Sequence, residues 1–583
     1  MADADGAGGP LFLGLDLSTQ QLKGMLVDEQ RRAVCEVCIV FDERLPEYST
    51  ASGRHVRGDV VTAPVLMWVE AIDLLMAELA ATGLAARIRG VSGAAQQHGS
   101  VYWRQRGVET VRQLASSLPL KEQLQEAFAL PDSPTWEDLS TSQQCRDLER
   151  TAGGAAALAR ISGSVALERF TGAQIAKIKQ TQPAVWEDTA RISLVSSFVA
   201  SVLVGDIAPV DCGDASGTNI YDIQDRAWSR RMCDSIDPRL VGMLGERVVT
   251  ADTVVGALSP YFVRRYGLAR CPVVAFTGDN PSTYVGFESM FTSVDRSAAV
   301  LSLGTSDTVL FPLDDYPYAA NASPLAMQHL DGHVLQHPTA ARRYIAMLCY
   351  KNGSLAREWV RDHCLGGSGS CTWADFGESA GPGPMAPAAF GFYYLSAEIL
   401  PRAKGLHRFV RCSDGDIVCP SGSRYRQLGS FDGTGLGSDA RAIIESQVMS
   451  MRVDHSRKTA AALDSVAVTG GASSNRVLLQ TIADVLGVSV FAAGEQHPGG
   501  FELKTPAMPA YGGAIRAQQQ VKEHPIGTEC EPDRSSAKYT LQRICSPSEH
   551  MHDVYTQALA DFEFLRSHVS AQHGGCADPA GTF

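Results

Sequence analysis

No Gly-Lys dipeptide occurs anywhere in the chain, which removes the Walker-type phosphate loop and its lysine, and no strict G-x-G-x-x-G occurs, which removes the Rossmann dinucleotide fingerprint. Long apolar runs are missing too. No window approaches the roughly 20 apolar residues of a membrane helix, and the opening MADADGAGGP carries no basic residue from which a signal peptide or presequence could be built. Basic residues are the minority, 51 against 64 acidic ones, for a formal net charge of −13. That sign argues against nucleic acid or an anionic membrane as the main partner. Cysteine is sparse and scattered, 14 residues in all, and the single C-x-x-C, Cys35 and Cys38, has no second pair at zinc-ligand spacing. In a strand those two thiols face opposite ways. Scattered free thiols suit a reducing compartment, so the chain is expected to be cytosolic. With 45% apolar and 20% charged residues, the composition excludes disorder and fibrous order for most of its length.

What is present is enough for more than one domain, since 583 residues exceed the roughly 100 to 200 of a typical domain. After a flexible start over residues 1–10, LFLGLDL reads as a buried strand turning at LSTQQ, with LKGMLVDE as its return. Residues 35–41 supply another strand. Val65, Trp68, Val69, Ile72, Leu75, Met76 and Leu79 then fall at helical spacing, with Thr62 and Pro64 before them and Gly83 after. IRGVSG reads as a strand opening into the polar AAQQHGS, at the carboxyl end where open α/β sheets bind ligands. Helical patterns dominate residues 135–200, and 184–204 reads as one long apolar-faced helix. CPVVAFTGDN gives a further buried strand, and a first domain, 11–290, is expected to close near Met290.

A second domain, 291–570, opens with SAAVLSLGTSDTVLF, which repeats the order strand, polar turn, return strand; this is an internal repeat of architecture. SVAVTGGASSNRVLLQTIADVLG is a third version, with a Gly-rich turn leading into a helix that Ser473 or Ser474 is expected to cap. Residues 365–370 and 412–424 read as surface insertions, and 571–583 as a disordered tail.

The turns offer backbone N–H groups and small hydroxyls. LDLSTQ and SLGTSDT, each opening one half of the chain, together with the TGG turn, can cradle nucleotide phosphates between two domains without a lysine. Asp16 ends an apolar strand beside the first turn, where a carboxylate is costly to bury without a cation or donors. It reads as a ligand, direct or through water, of Mg²⁺ on those phosphates, or else as a side chain bonding its own turn. Asp279, in FTGDN, is an isolated carboxylate at a strand end, suited to accept the proton of an attacking hydroxyl in phosphoryl transfer or to close an Asx turn.

LGLDLSTQQLKGMLVD, SGAAQQHGSVYW, ERFTGAQIAKI, FTGDNPSTYVG, LSLGTSDTVL, YKNGSL and TGGASSNR together resemble the FGGY family of sugar kinases over residues 11–517, and within it the eukaryotic branch acting on D-xylulose. The resemblance implies an α/β fold of two ribonuclease-H-like domains, as in actin and hexokinase, with an active-site cleft between them. It implies ATP and Mg²⁺ as the needs of the reaction and D-xylulose as the sugar, phosphorylated at C5. By position it makes Asp279 the general base, and His98, Arg169, Asp279 and Asn280 the sugar ligands. ATP would fall to Ser18, Thr19, Thr305, Ser306, Trp373, Gly470, Gly471, Ala472 and Asn475, and the metal to Asp16. Another pentulose or polyol such as ribulose, xylitol or glycerol stays open as substrate, as does a chaperone-like or sugar-sensing ATPase on the same fold, and both monomer and homodimer stay open. Intact TGD and QQHG segments argue against a dead pseudokinase.

Overall fold

Two sheets share one strand order in the computed structural model, which describes residues 9–291, 297–319, 327–364, 371–428, 438–497, 500–502, 505–523 and 539–573. In the first, β1 (Leu11–Leu17), β2 (Gln21–Val27) and β3 (Ala33–Val40) form an antiparallel meander. Helix α1 (Val65–Ala81) carries the chain over to β4 (Ile88–Ala95), parallel to β1. Helix α2 (Thr171–Thr181) belongs to the long excursion before β5 (Pro272–Val274) and β6 (Thr277–Gly278), both parallel to β4. Helix α3 (Asp279–Glu288) begins at the end of β6.

The second sheet repeats the order. Its β7 (Ala299–Leu303) and β8 (Asp307–Leu313) form a hairpin, with β9 (His333–Gln336) and β10 (Tyr344–Tyr350) continuing antiparallel beyond β8. After α4 (Trp373–Ala380) and α5 (Asp439–Lys458), β11 (Ser465–Thr469) returns parallel to β7; α6 (Arg476–Leu486) then leads to β12 (Ser489–His497), parallel to β11. The spatial orders β3-β2-β1-β4-β5 and β10-β8-β7-β11-β12 therefore match strand for strand and direction for direction. The repeat read from the turns is a repeat of topology.

All seven residues of β1 are buried, as befits a central strand covered on both faces. Part of that cover comes from far along the chain: α7 (Met508–Glu523) lies across β1 and β4, so close that a Cβ on Gly14 would overlap Ala510 O. Only glycine tolerates such a backbone approach. The boundary expected near Met290 falls between α3 and β7 in sequence, yet α7 returns to the first sheet in space. The last helix, α8 (Glu549–His573), packs on the second half, where Arg566 makes a bidentate pair with Asp454 of α5 at 2.9 and 2.7 Å.

Several expectations need correction. Residues 184–204 are a short helix (Pro183–Glu187), a strand (Arg191–Leu194) antiparallel to Ser100–Trp103, and a second helix (Val195–Val204). The polar stretch at Asp188 to Arg191 ends the first helix, and Ser193 accepts a hydrogen bond from Trp103 Nε1 at 3.1 Å. The strand expected in CPVVAFTGDN is broken into β5 and β6, with Ala275 O between them accepting from Ser92 Oγ at 3.0 Å. Helix α6 is capped by Asn475, not by Ser473 or Ser474, because Gly471–Ser474 forms a 3-10 turn that delays the helix. Residues 412–424, read as a surface insertion, carry strand structure: Ile417–Val418 joins Arg424–Gln427, Gly405–Arg411 and Ala389–Tyr394 in a small four-stranded sheet. The insertion at 365–370, residues 1–8 of the flexible start and residues 574–583 of the expected tail lie outside the described residues, while residues 571–573, expected in that tail, continue α8.

Candidate active site

The carboxyl ends of β1, β4 and β6 meet at one level. Register pairs Asp16 with Ala94 on one side of β4 and Thr277 with Ala94 on the other, so Asp16 and the Gly278–Asp279 turn flank the point where β4 runs into Gln96, Gln97 and His98. This is the crevice position at which α/β sheets bind ligands.

Burial is the main influence on both carboxylates. Asp16 is 4% exposed, and burial lifts its pKa from 3.8 to about 6 against the opposing hydrogen bond from Ser18 Oγ. That bond, 2.7 Å to Oδ2, uses one oxygen; Oδ1 is buried without a partner among the described residues. Asp279, the first residue of α3, is lifted from 3.8 to about 7, first by burial and then by the charge of Asp16. Asn280 works the other way, donating its N at 2.8 Å and its Nδ2 at 3.1 Å to Asp279 Oδ1. Asp279 thus exchanges its proton near neutrality.

His98 holds an unusual backbone conformation, φ +73°, which costs free energy in a residue with a Cβ and is retained where the surroundings enforce it. Its ring stacks on Phe170 at 4.5 Å and Nδ1 lies 2.9 Å from Gly217 O. Since a carbonyl only accepts, Nδ1 carries the proton and Nε2 is left as an acceptor. Burial, followed by the nearby Arg169 charge, pushes its pKa down to about 3, so the ring is neutral. Arg169 stands just before α2, and its hydrogen-bond partner among the described residues is His333 Nε2, 3.0 Å from Nη2. Such a guanidinium retains donors for hydroxyls.

Sequence reasoning missed the groups that stitch these residues together. Gln97 Oε1 accepts from Asn280 Nδ2 at 3.1 Å, and its Nε2 is buried without a partner among the described residues. Asp211 accepts from Gly213 N, Asp214 N and Thr277 Oγ1 at 2.9, 3.2 and 2.8 Å, and so ties the Asp211–Asp214 turn to β6. Asp214 accepts from Ser196 Oγ at 2.6 Å, and burial together with the Asp211 charge raises its pKa well above the ordinary carboxylate range. Two acids in the apolar, small-residue run VDCGDASG were the available signal. His333 gave none, since only the second sheet brings it here.

Most of the other expected residues lie on the second half. Thr305 and Ser306 are exposed in the β7–β8 turn. Asp307 behind them is buried and already paired with Arg357 at 2.7 and 3.1 Å. Gly470, φ +92°, lies against Leu303 at the end of β7, while a Cβ on Gly471 would meet nothing within 4 Å. Ala472 is half-buried, and Asn475 Oδ1 is occupied as the cap of α6, accepting from Val477 N and Leu478 N at 3.1 Å each. Trp373 is 42% exposed at the start of α4, with the Arg361 guanidinium 4.7 Å from its ring; α4 adjoins α6 through Gly377 and Val477. On the first half, Ser18 donates to Asp16, and Thr19 Oγ1 accepts from Trp136 Nε1 at 2.9 Å. The described residues contain no cluster of three or more His, Cys, Asp or Glu arranged to cage a metal. No described helix is long and apolar enough to cross a membrane.

The duplicated topology meets its counterpart in known proteins. The N-terminal domain model of the FGGY family of carbohydrate kinases matches residues 126–286, and the C-terminal domain model matches residues 299–501. The chain belongs to the FGGY family. Xylulose kinase of Rattus norvegicus is 40% identical over 496 residues, 84% of this chain and 86% of the relative. Xylulose kinase 2 of Arabidopsis thaliana is 39% identical over 523 residues, 88% of this chain and 89% of the relative. Among solved structures, a ligand-bound xylulose kinase from Lactobacillus acidophilus superposes with a TM-score of 0.72 at 16% identity, over 97% of this chain and 99% of that one. Plasmodium falciparum glycerol kinase with ADP superposes at 0.70 and 15% identity, over 97% and 99%. These superpositions establish the FGGY fold, two actin- and hexokinase-like domains.

Proposed function

We propose that this FGGY kinase transfers the γ-phosphoryl group of ATP to the C5 hydroxyl of D-xylulose. The observation that carries the mechanism is Asp279: a half-buried carboxylate at the end of a strand, whose pKa burial raises to about 7. It accepts the proton of the attacking hydroxyl as the O–P bond forms. Asn280, itself bonded to Gln97, fixes its rotamer, while neutral His98 and cationic Arg169 hold sugar hydroxyls. The choice of D-xylulose over another pentulose or a polyol follows the relatives that share most of the chain.

On the far side, the open space at Gly471 lets the nucleotide approach backbone, Trp373 offers an aromatic face, and the turns at Ser18, Thr19, Thr305 and Ser306 supply phosphate donors. The orphaned, buried Oδ1 of Asp16 fits a cation held mainly by phosphate oxygens, as Mg²⁺ is commonly held by one or two carboxylates. Bound there, the ion supplies charge neutralisation at the phosphates. We further propose a cytosolic location, in keeping with free cysteines such as Cys145, Cys212, Cys233 and Cys271. The test is ADP release with D-xylulose, D-ribulose, L-ribulose, xylitol and glycerol at matched concentrations. Preference for D-xylulose is expected; preference for another sugar, or equal release without sugar, refutes the reading.

A further inference from the structure

Strand β9 is the outermost strand of the second sheet, paired to β10 on one side, yet its other side faces the first half of the chain. Val334 N donates to Gly163 O at 2.9 Å, Gln336 N donates to Ser216 Oγ at 3.0 Å, and Tyr221 Oη donates to Gln336 Oε1 at 2.7 Å. Gly163, φ +85°, permits the approach, because a Cβ there would overlap Val334 O. One short strand is thereby both a member of the second sheet and hydrogen-bonded to the first half, beside Arg169 and His98.

His333 opens that strand and is 3% exposed. Its ring meets Phe170 edge-on at 4.8 Å and stands 6.2 Å from His98. Its Nε2 lies 3.0 Å from Arg169 Nη2. A guanidinium only donates, so Nε2 must accept, and the imidazole is neutral with its proton on Nδ1. Burial and the Arg169 charge both favour that neutral form. Nδ1 is buried and has no partner among the described residues. Buried donors are ordinarily paired, so an unpaired one beside a ligand site points to an acceptor that arrives with the ligand.

We infer that His333 is a positioning residue for the sugar: from the nucleotide-side sheet it aims Arg169 through Nε2 and presents its Nδ1–H to an oxygen of the bound sugar or of a water the sugar orders. This rests on the reading of Arg169 as a sugar ligand. It also gives closure a route. His333 pairs with Met347 of β10, and Met347 with Leu310 of β8, the strand that starts at the Thr305–Ser306 turn. Nucleotide contacts at that turn therefore reach His333, and through it the Arg169 fork, by way of β8, β10 and β9. Sugar affinity should therefore rise when nucleotide is bound, and that rise should pass through His333.

The test is calorimetric titration with D-xylulose, with and without a non-hydrolysable ATP analogue, on the wild type and on Arg169→Ala, His333→Leu and His333→Gln. Expected for His333→Leu are sugar binding weakened at least about tenfold, equivalent to about 1.4 kcal/mol, loss of most of the nucleotide-dependent gain, and an analogue affinity within about twofold of wild type. KM for the sugar should rise more than kcat falls. His333→Gln, whose Oε1 can still accept from Arg169, should recover most of the loss; His333→Phe, which keeps a ring but has no acceptor, takes the place of the leucine variant if that variant fails to fold. If Arg169→Ala weakens sugar binding while both His333 variants bind as wild type, the inference is wrong and the sugar site stands. If Arg169→Ala also binds as wild type, the sugar site and the inference fall together. Equal losses in His333→Gln and His333→Leu would refute the acceptor role.

Discussion

Asparagine at position 279 separates two consequences of one half-buried carboxylate. The substitution keeps the side chain's shape and its Oδ1, which accepts from Asn280 N and Nδ2 at 2.8 and 3.1 Å, but removes the proton acceptor and the charge. Loss of a positioned general base typically costs 10² to 10⁴ in rate, so turnover should fall at least about a hundredfold while ATP affinity holds. Stability should move the opposite way. The folded carboxyl has a pKa of about 7 against an ordinary 3.8, so between those values the folded state binds the proton that the unfolded chain has released. Wild-type stability is therefore full below pH 3.8, declines as pH rises toward 7 and is flat above. At about 1.4 kcal/mol per pH unit, Asp279→Asn removes a penalty of at most about 4 kcal/mol at pH 8 and almost none near pH 4. Partial exposure and the polarity of the amide reduce that to roughly 1 to 3 kcal/mol. The assay is a coupled ADP-release rate together with thermal melts at pH 5 and pH 8. The variant should be nearly inactive, and its gain in Tm over wild type should be larger at pH 8. Turnover within tenfold of wild type removes Asp279 from the chemistry, and an equal Tm difference at both pH values removes the account of its burial.

The same carboxylate makes kcat/KM for the sugar fall as pH drops through about 7; a flat profile from pH 5.5 to 8 would contradict this. His98→Ala and Arg169→Ala should each weaken sugar binding by roughly 1 to 3 kcal/mol, read by calorimetry without nucleotide, because hydroxyls in a closed site lose their partners. Gly470→Ala, at φ +92° and against Leu303, should lower Tm, whereas Gly471→Ala, in open space, should leave Tm unchanged and raise KM for ATP. Arg566→Leu leaves the buried Asp454 without its bidentate partner, so it should cost about 3 to 5 kcal/mol of stability with both KM values unaltered.

Local order was legible wherever an apolar run ended in a polar turn. The hairpins at Leu15 to Leu22 and Leu303 to Asp307, and the strand leading into the Gly470 turn, are fixed by residues adjacent in sequence, and so the duplicated plan could be read directly. The segment 184–204 misled because apolar residues of two helices and one strand follow each other closely, and pairing with Ser100–Trp103, some 90 residues away, decides which period holds. The cap of α6 was missed by one residue for a local reason, the 3-10 turn at Gly471–Ser474. The candidate site was half visible. Asp16, His98, Asp279 and Asn280 stand at strand ends that the sequence marks. Gln97, Asp214 and His333 take their meaning from contacts across the sheet or between the halves. Nor does anything near Met508 announce that α7 covers the first sheet, except the glycine at 14 that makes room for it.

The central claim is regiospecific transfer to a sugar, and it is tested most directly by identifying the product. After incubation of the enzyme with ATP, Mg²⁺ and D-xylulose, phosphorus–proton correlation NMR should show the new phosphate ester coupled to the C5 protons, in one-to-one ratio with ADP. Phosphate on another carbon would contradict the placement of Asp279 at the C5 hydroxyl, and inorganic phosphate with unmodified sugar would contradict the kinase assignment.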